Sequence, residues 1–94
     1  MRSPLAAELC LFARALMVHP AHARGTLAQQ ILAETDAAET HLRRYGITHP
    51  AFGDGSLMAR LLPLSPPAEP FAHDPDFLHA LSVVVESLLS HYRN

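Results

Sequence analysis

Apolar side chains near the start of the chain recur at helical spacing. Four of them follow one another at intervals of four, three and four residues: Leu5, Leu9, Phe12 and Leu16. This spacing places them on one face of a helix. Ser3 is a suitable N-cap and Pro4 suits the first helical position, while His19–Pro20 ends the pattern. The sequence therefore predicts a first helix over about residues 4–18.

A second helical pattern predicts a helix over about residues 21–45. Its buried stripe consists of Leu27, Ile31, Ala38, Leu42 and Tyr45. The helix begins between Ala21 and Thr26, and Thr26 is either its cap or an internal position. Gly46 is the expected left-handed residue after its last turn, and Ile47 is expected to pack back on the helix.

The second half of the chain contains a short helix, a proline-rich strap and a long helix. The short helix is predicted over about residues 56–62, and residues 63–73 form the strap because four prolines fall within 63–70. Three apolar residues are expected to anchor the strap to the core: Leu62, Leu64 and Phe71. Asp74 as cap and Pro75 at the first position predict a last helix over about 74–92.

The last helix is apolar over most of its circumference, which indicates burial on more than one side. A helix of this kind is either central in a bundle or shared with a partner. We expect an interaction face that includes Val83, Val84, Leu88, Leu89 and Tyr92. Together the patterns predict a single all-α domain over residues 1–94, a bundle of three longer helices and one short helix.

Composition narrows the classes of function. Apolar residues make up 49% and charged residues 17% of the 94, and the net charge is −2. No strongly basic region is present, so nucleic-acid binding is expected to be weak at most, through Arg43 and Arg44. The single cysteine, Cys10, fits a reducing compartment, and no apolar run is long enough to span a membrane. We therefore expect a cytoplasmic protein.

The most distinctive stretch is HPAFGDGS at residues 49–56. It lacks the third glycine of a dinucleotide fingerprint, the lysine of a P-loop and the companion acids of a calcium loop. We therefore interpret it as a structural corner in which two glycines adopt positive φ and Asp54 or Ser56 caps the short helix. The residues of this corner are His49, Pro50, Phe52, Gly53, Asp54, Gly55 and Ser56.

Seven histidines raise the question of a metal site. The candidates are His73, Asp76 and His79, of which the last two lie one helical turn apart. Metal sites usually need three or four converging ligands, and the helix start already accounts for Asp76. No cofactor and no catalytic residue are therefore expected. A small metal- or phosphate-binding enzyme that uses residues 49–56 and 73–79 is the alternative.

Two segments carry a resemblance to a known group of proteins, HPAFGDGSLMA at 49–59 and EPFAHDPDF at 69–77. The chain resembles a family of small, uncharacterised alphaproteobacterial proteins of the Rhodobacterales type, with an HPxxGDGSLMxA motif. It also resembles the small first protein of gene-transfer-agent packaging clusters, a position where a small-terminase-like subunit is expected. This second resemblance implies oligomerisation and a large-terminase partner.

These observations favour a non-enzymatic interaction or assembly module. The expected partner is another protein or a second copy of the chain, in a homo-oligomer, and membranes are not expected to be involved. An accessory role in a phage-like or gene-transfer-agent DNA-packaging machine would fit the resemblance.

Overall fold

The computed structural model describes residues 1–93, which fold into an all-α bundle as predicted. Its helices are α1 (Ala6–Met17), α2 (Arg24–Tyr45), α3 (Leu57–Leu61) and α4 (Pro75–Arg93). Short 3₁₀ turns precede α2 at Ala21–Ala23 and follow α3 at Leu62–Leu64. Three longer helices and one short helix are therefore confirmed. No strand occurs in the described part of the chain.

The core lies where α1 and α4 pack against each other, with α2 and α3 closing it. The largest side chains that are fully buried there include Phe12, Leu16, Ile31, Leu57, Leu61 and Val84. The first residues of α1 lie beside the last turns of α4, and Arg24 joins the opposite ends of the two helices. The two helices are therefore antiparallel. Burial of apolar area at this junction is the main driving force for folding.

Local capping signals place three of the helix ends correctly. Gly46 has φ +72° and its amide donates to the Leu42 carbonyl at 2.8 Å. Ser56 caps α3 by accepting a hydrogen bond from the Ala59 amide at 3.1 Å. Asp74 Oδ1 accepts from the Asp76 amide at 2.9 Å, at the start of α4. These signals depend on neighbouring residues only, which is why the sequence predicts them well.

The predicted start of α1 is wrong. The helix begins at Ala6 with Leu5 as its cap, so Ser3 and Pro4 belong to an extended segment. Long-range contacts keep this segment extended. In one of them, the Arg2 amide donates to the Gly55 carbonyl at 2.9 Å. The Met1 amine contacts Asp36 and Glu39 of α2. Burial lowers the pKa of this amine, but the hydrogen bonds from it to the two carboxylates outweigh burial and raise the pKa overall.

The predicted start of α2 and the bounds of the strap also change. The second helix begins at Arg24 after a 3₁₀ turn, so Thr26 is an internal residue and not a cap. Residues 62–64 form the second 3₁₀ turn, which shortens the extended strap to about 65–73. Phe71 does not anchor the strap, since it is 80% exposed. The Arg14 side chain instead holds the strap, because Nε donates to the Pro67 carbonyl at 2.8 Å.

Several apolar residues that were expected in the core lie at the surface. Four of them belong to helix ends or turns: Leu5, Tyr45, Ile47 and Leu62. Each is more than half exposed. The surface is therefore rich in single apolar side chains.

Candidate functional site

The GDGS corner, residues 49–56, is a closed turn between α2 and α3. The backbones of His49 and Gly53 exchange two hydrogen bonds, at 2.9 and 3.1 Å. Inside the turn, Nδ1 of His49 accepts hydrogen bonds from the amides of Ala51 and Phe52, at 3.0 and 3.1 Å. The corner is therefore held by its own backbone and one histidine ring, and it needs no bound group to keep its shape.

Both glycines of the corner are required by close packing as well as by conformation. Gly53 and Gly55 have φ of +85° and +95°. A Cβ atom on Gly55 would lie 2.7 Å from Cβ and 2.9 Å from Cα of Glu39. A Cβ atom on Gly53 would lie 2.8 Å from Cβ of Ala59. The corner is thus pressed against α2 on one side and α3 on the other.

Asp54 and Ser56 bind each other. The Ser56 hydroxyl and amide donate to Asp54 Oδ1 at 2.7 and 3.0 Å, and Arg2 lies 3.3 Å from Asp54 Oδ2. The hydroxyl and amide of Ser56, with a smaller contribution from Arg2, lower the pKa of Asp54. Since the hydroxyl also caps α3, its lone pair and proton are both engaged. These contacts give the pair a capping role, and the lowered pKa makes Asp54 a weak base toward the Ser56 hydroxyl.

Aromatic rings extend from the corner along α2. Phe52 stacks on His49 with ring centroids 4.6 Å apart, and His41 lies 5.0 Å from His49 and 4.8 Å from Tyr45. The Arg60 guanidinium lies 5.5 Å from the Phe52 ring centroid. Phe52 therefore fixes the corner through these ring contacts at the rim of the core.

The structure separates the three metal candidates. Asp76 and His79 both bind the Arg24 side chain, whereas His73 stacks on Phe71 with centroids 5.7 Å apart. Over residues 1–93, no group of three His, Cys, Asp or Glu side chains is close enough to hold a metal ion. The guanidinium occupies the place between Asp76 and His79 that a cation would take.

Arg24 is the residue that sequence reasoning missed. Its side chain is 4% exposed, although it lies in the first turn of α2. Nε donates to the carbonyls of Leu16 and His19, both at 3.1 Å, at the end of α1. Nη1 reaches Nδ1 of His79 at 2.9 Å, and Nη2 reaches Asp76 Oδ1 at 2.7 Å. One buried cation thus ties α1, α2 and α4 together, and no local sequence signal reveals it.

Glu8 has a comparable role at the other end of α1. The carboxylate is buried, and its two oxygens accept from the Leu5 amide at 2.9 Å and the Met58 amide at 2.8 Å. It therefore satisfies the free amides of two helix starts, α1 and α3. A glutamate three residues after a helix cap was a usable signal for the first of these contacts.

Most of the arginines pair with acids or carbonyls. Ion pairs are formed by Arg2 with Asp54, Arg24 with Asp76, Arg43 with Glu39, and Arg60 with Glu34. Arg43, one of the two residues considered for nucleic-acid contact, is thus partly neutralised by a carboxylate 3.3 Å away.

The model of DUF7742, a domain of unknown function, matches residues 2–88. The chain belongs to the DUF7742 family. No curated protein and no solved structure matches it significantly. Within residues 1–93, no helix combines the length and the apolar character that a membrane span requires.

An apolar groove of this DUF7742 domain lies between the start of α1 and the end of α4. It has a volume of about 450 Å³. We call this feature the apolar groove. The residues that line it are Pro4, Ala6, Leu9, Val85, Leu88, Leu89 and Tyr92. Tyr92 supplies the side-chain polar atom of this lining. Partial burial, together with the charges of Asp36 and Glu39, raises the pKa of Tyr92, so its hydroxyl is neutral at physiological pH.

The apolar groove corrects the predicted interaction face. Val84 and Leu88 are buried in the core of the DUF7742 domain, and Val83 is half-buried against it. Leu89 and Tyr92 remain exposed, and Val85 joins them at the surface. The helical pattern alone did not distinguish these faces, because α4 is apolar on nearly all sides.

Proposed function

We propose that this DUF7742 domain is a non-enzymatic protein-interaction module that assembles through the apolar groove. The observation that supports the proposal is the clustering of Val85, Leu89 and Tyr92, all exposed, around one depression. Exposed apolar patches on small proteins commonly mark contact sites. The polar groups of the GDGS corner are engaged in holding the fold, which favours binding over catalysis.

A second copy of the chain is the partner that we propose. Leu89 and Tyr92 both line the groove and protrude from it. In a two-fold symmetric pair, the same surface of each copy would cover the other, so both sets of apolar side chains would be buried at once. Exclusion of water from this area would supply the driving force for association.

A role for such an oligomer in the cytoplasm, as an accessory subunit of a phage-like or gene-transfer-agent packaging machine, extends the proposal. It is supported by the general resemblance of the chain to the small first protein of gene-transfer-agent packaging clusters, a resemblance that no single motif carries. Small-terminase-like subunits act as oligomers with a large partner, so the extension requires self-association first. A pull-down with the large terminase subunit of such a cluster tests it.

The structure offers a matched pair of variants for the self-association test. Leu89 and Leu64 are 49% and 47% exposed, but only Leu89 lines the apolar groove. We expect multi-angle light scattering at micromolar concentrations to give an oligomer for the natural chain and for Leu64→Glu, and a monomer for Leu89→Glu. Circular dichroism checks that both variants keep their helices. A strictly monomeric natural chain that also retains no partner would refute the proposal.

A further inference from the structure

The apolar groove is too small to hold two copies of the chain together by itself. Seven residues line it, whereas each side of a stable protein–protein interface commonly contributes about 20–30 residues. A second copy that covers the groove must therefore bring further surface into the contact. The strap, residues 65–73, is the exposed segment that meets this need.

The strap carries the most exposed large apolar side chain of residues 1–93. Phe71 is 80% exposed, and its ring stacks on His73 instead of packing on the core. Three prolines precede it within the strap and give this segment a stiff, extended backbone. The hydrogen bond from Arg14 to the Pro67 carbonyl fixes the segment to α1. The strap is therefore a preformed extended segment that presents an aromatic ring to the outside.

The strap and the apolar groove are complementary in chemistry. Extended proline-rich segments bind in apolar grooves that carry aromatic side chains. Leucines and one aromatic ring, that of Tyr92, line the apolar groove. The Tyr92 hydroxyl can donate a hydrogen bond, and within residues 1–93 the carbonyls of Pro66 and Pro70 accept none. The groove thus offers both an apolar surface for Phe71 and a donor for the backbone of the strap.

The strap of one copy cannot reach the groove of the same copy. Leu89 lies fourteen residues after Pro75 in α4, which corresponds to about 21 Å at 1.5 Å per residue. The four residues from Phe71 to Pro75 span at most about 14 Å even when fully extended. The Asp74 amide, which donates to the Phe71 carbonyl at 3.0 Å, keeps them in a tighter turn. A strap that fills the groove must therefore belong to another copy.

Building on the self-association proposed above, we infer that two copies dock their straps reciprocally, so that Phe71 of each copy enters the apolar groove of the other. A two-fold axis across the bundle makes the two α4 helices antiparallel. The strap before α4 of each copy then lies beside the end of α4 of the other. Both contacts form together, and the nine residues of the strap join the interface of each copy. Because the strap is already ordered, little conformational freedom is lost on binding.

Two variants that each lack one side of the contact test this inference. Phe71→Arg keeps an intact groove, and Leu89→Glu keeps an intact strap. Both residues are exposed, so the helices are expected to persist, and circular dichroism checks this. We expect light scattering to show a monomer for either variant alone, with association at least about tenfold weaker than in the natural chain.

An equimolar mixture of the two variants is expected to form a dimer. One contact then joins a natural strap to a natural groove, and the other joins an introduced arginine to an introduced glutamate of opposite charge. A mixture that stays monomeric overturns the inference. If Phe71→Arg associates as strongly as the natural chain, the inference also fails, but self-association through the groove stands. A monomeric natural chain would instead remove the proposed function.

Fluorescence gives a second, independent measurement. The chain has no tryptophan, so Phe71→Trp places a single reporter in the strap. We expect its emission to move to shorter wavelengths as rising protein concentration drives association, and to stay at long wavelengths when Leu89→Glu is added to the same chain. Ile47→Trp is the matched control, since Ile47 is 64% exposed and belongs to neither the strap nor the groove. An emission of Phe71→Trp that does not move in the associated protein overturns the inference.

Discussion

The close approach of Gly55 to α2 can be tested by comparing alanine at three glycines. At Gly46, φ is +72° but a Cβ would meet nothing within 4 Å, so Gly46→Ala adds left-handed strain alone, about 1–2 kcal/mol. At Gly55, φ is +95° and the Cβ would overlap Cβ and Cα of Glu39. Overpacking of this kind costs about 1–3 kcal/mol in addition to the strain. We therefore expect Gly55→Ala to cost about 2–5 kcal/mol in total, and about 3 kcal/mol serves as the working value.

Gly25 supplies the opposite control. It is the second residue of α2, and a Cβ there would meet nothing within 4 Å. Gly25→Ala is therefore expected to stabilise the domain by about 0.5–1 kcal/mol. The free energy of unfolding should therefore be higher in Gly25→Ala than in the natural chain, lower in Gly46→Ala, and much lower again in Gly55→Ala.

The cost expected for Gly55→Ala is large relative to the total stability of a chain of this size. Small domains have about 0.05–0.15 kcal/mol of stability per residue, so 94 residues correspond to about 5–14 kcal/mol. Urea denaturation followed by circular dichroism gives the three free energies of unfolding. The melting temperature of Gly55→Ala should fall by about 12–24 °C. Equal destabilisation by Gly46→Ala and Gly55→Ala would show that the corner does not press on Glu39, and the reasoning would fail.

Three other predictions concern polar contacts. The folded-state pKa of Asp54 is lowered. The stability that this carboxylate contributes is therefore present above its ordinary pKa and is lost as the pH falls through the folded-state pKa. We expect Asp54→Asn to make stability depend less on pH below about pH 5. Nε and Nη2 of Arg60 donate to Oε1 of Glu34 at 2.8 and 2.5 Å, so Glu34→Gln should cost about 1–2 kcal/mol, and less in 1 M salt. Glu8→Gln should cost about 1–3 kcal/mol, because one amide at a helix start would face an amide donor.

Each of these three has an outcome that contradicts it. If stability falls as steeply below pH 5 in Asp54→Asn as in the natural chain, the prediction for Asp54 is wrong. A cost at Glu34 that does not change with salt would point to packing instead of charge. For Glu8 the matched control is Glu86→Gln at an exposed position of α4, where the change should stay within about 0.5 kcal/mol. Equal costs at the two glutamates would show that the buried carboxylate does not hold the two helix starts.

The sequence predicted those parts of the fold that depend on nearby residues. The left-handed Gly46, the Ser56 cap and the Asp74–Pro75 start are local, and each lies where the pattern places it. The start of α1 was wrong because Gly55, fifty-three residues away along the chain, binds the Arg2 amide and keeps that segment extended. Local propensity cannot anticipate such a contact.

In the candidate site, too, local features were predicted and long-range contacts were not. The two glycines and the serine of the GDGS corner were predicted to be structural, and their contacts agree with that interpretation. Arg24 was not foreseen, because a single arginine near a helix start normally faces water. Its burial depends on where α1 ends and α4 begins, two positions that meet only in the folded chain.

The antiparallel contact between α1 and α4 has a consequence for the order of events in folding. All of α2, the GDGS corner and the proline-rich strap lie between these helices in the chain. During synthesis, Phe12 and Leu16 therefore leave the ribosome long before Val84, which shares their core. Contacts between such distant residues form late and slow the search for the native state. While only the first half of the chain has been synthesised, these apolar side chains have no partner from α4 and would be open to chaperones.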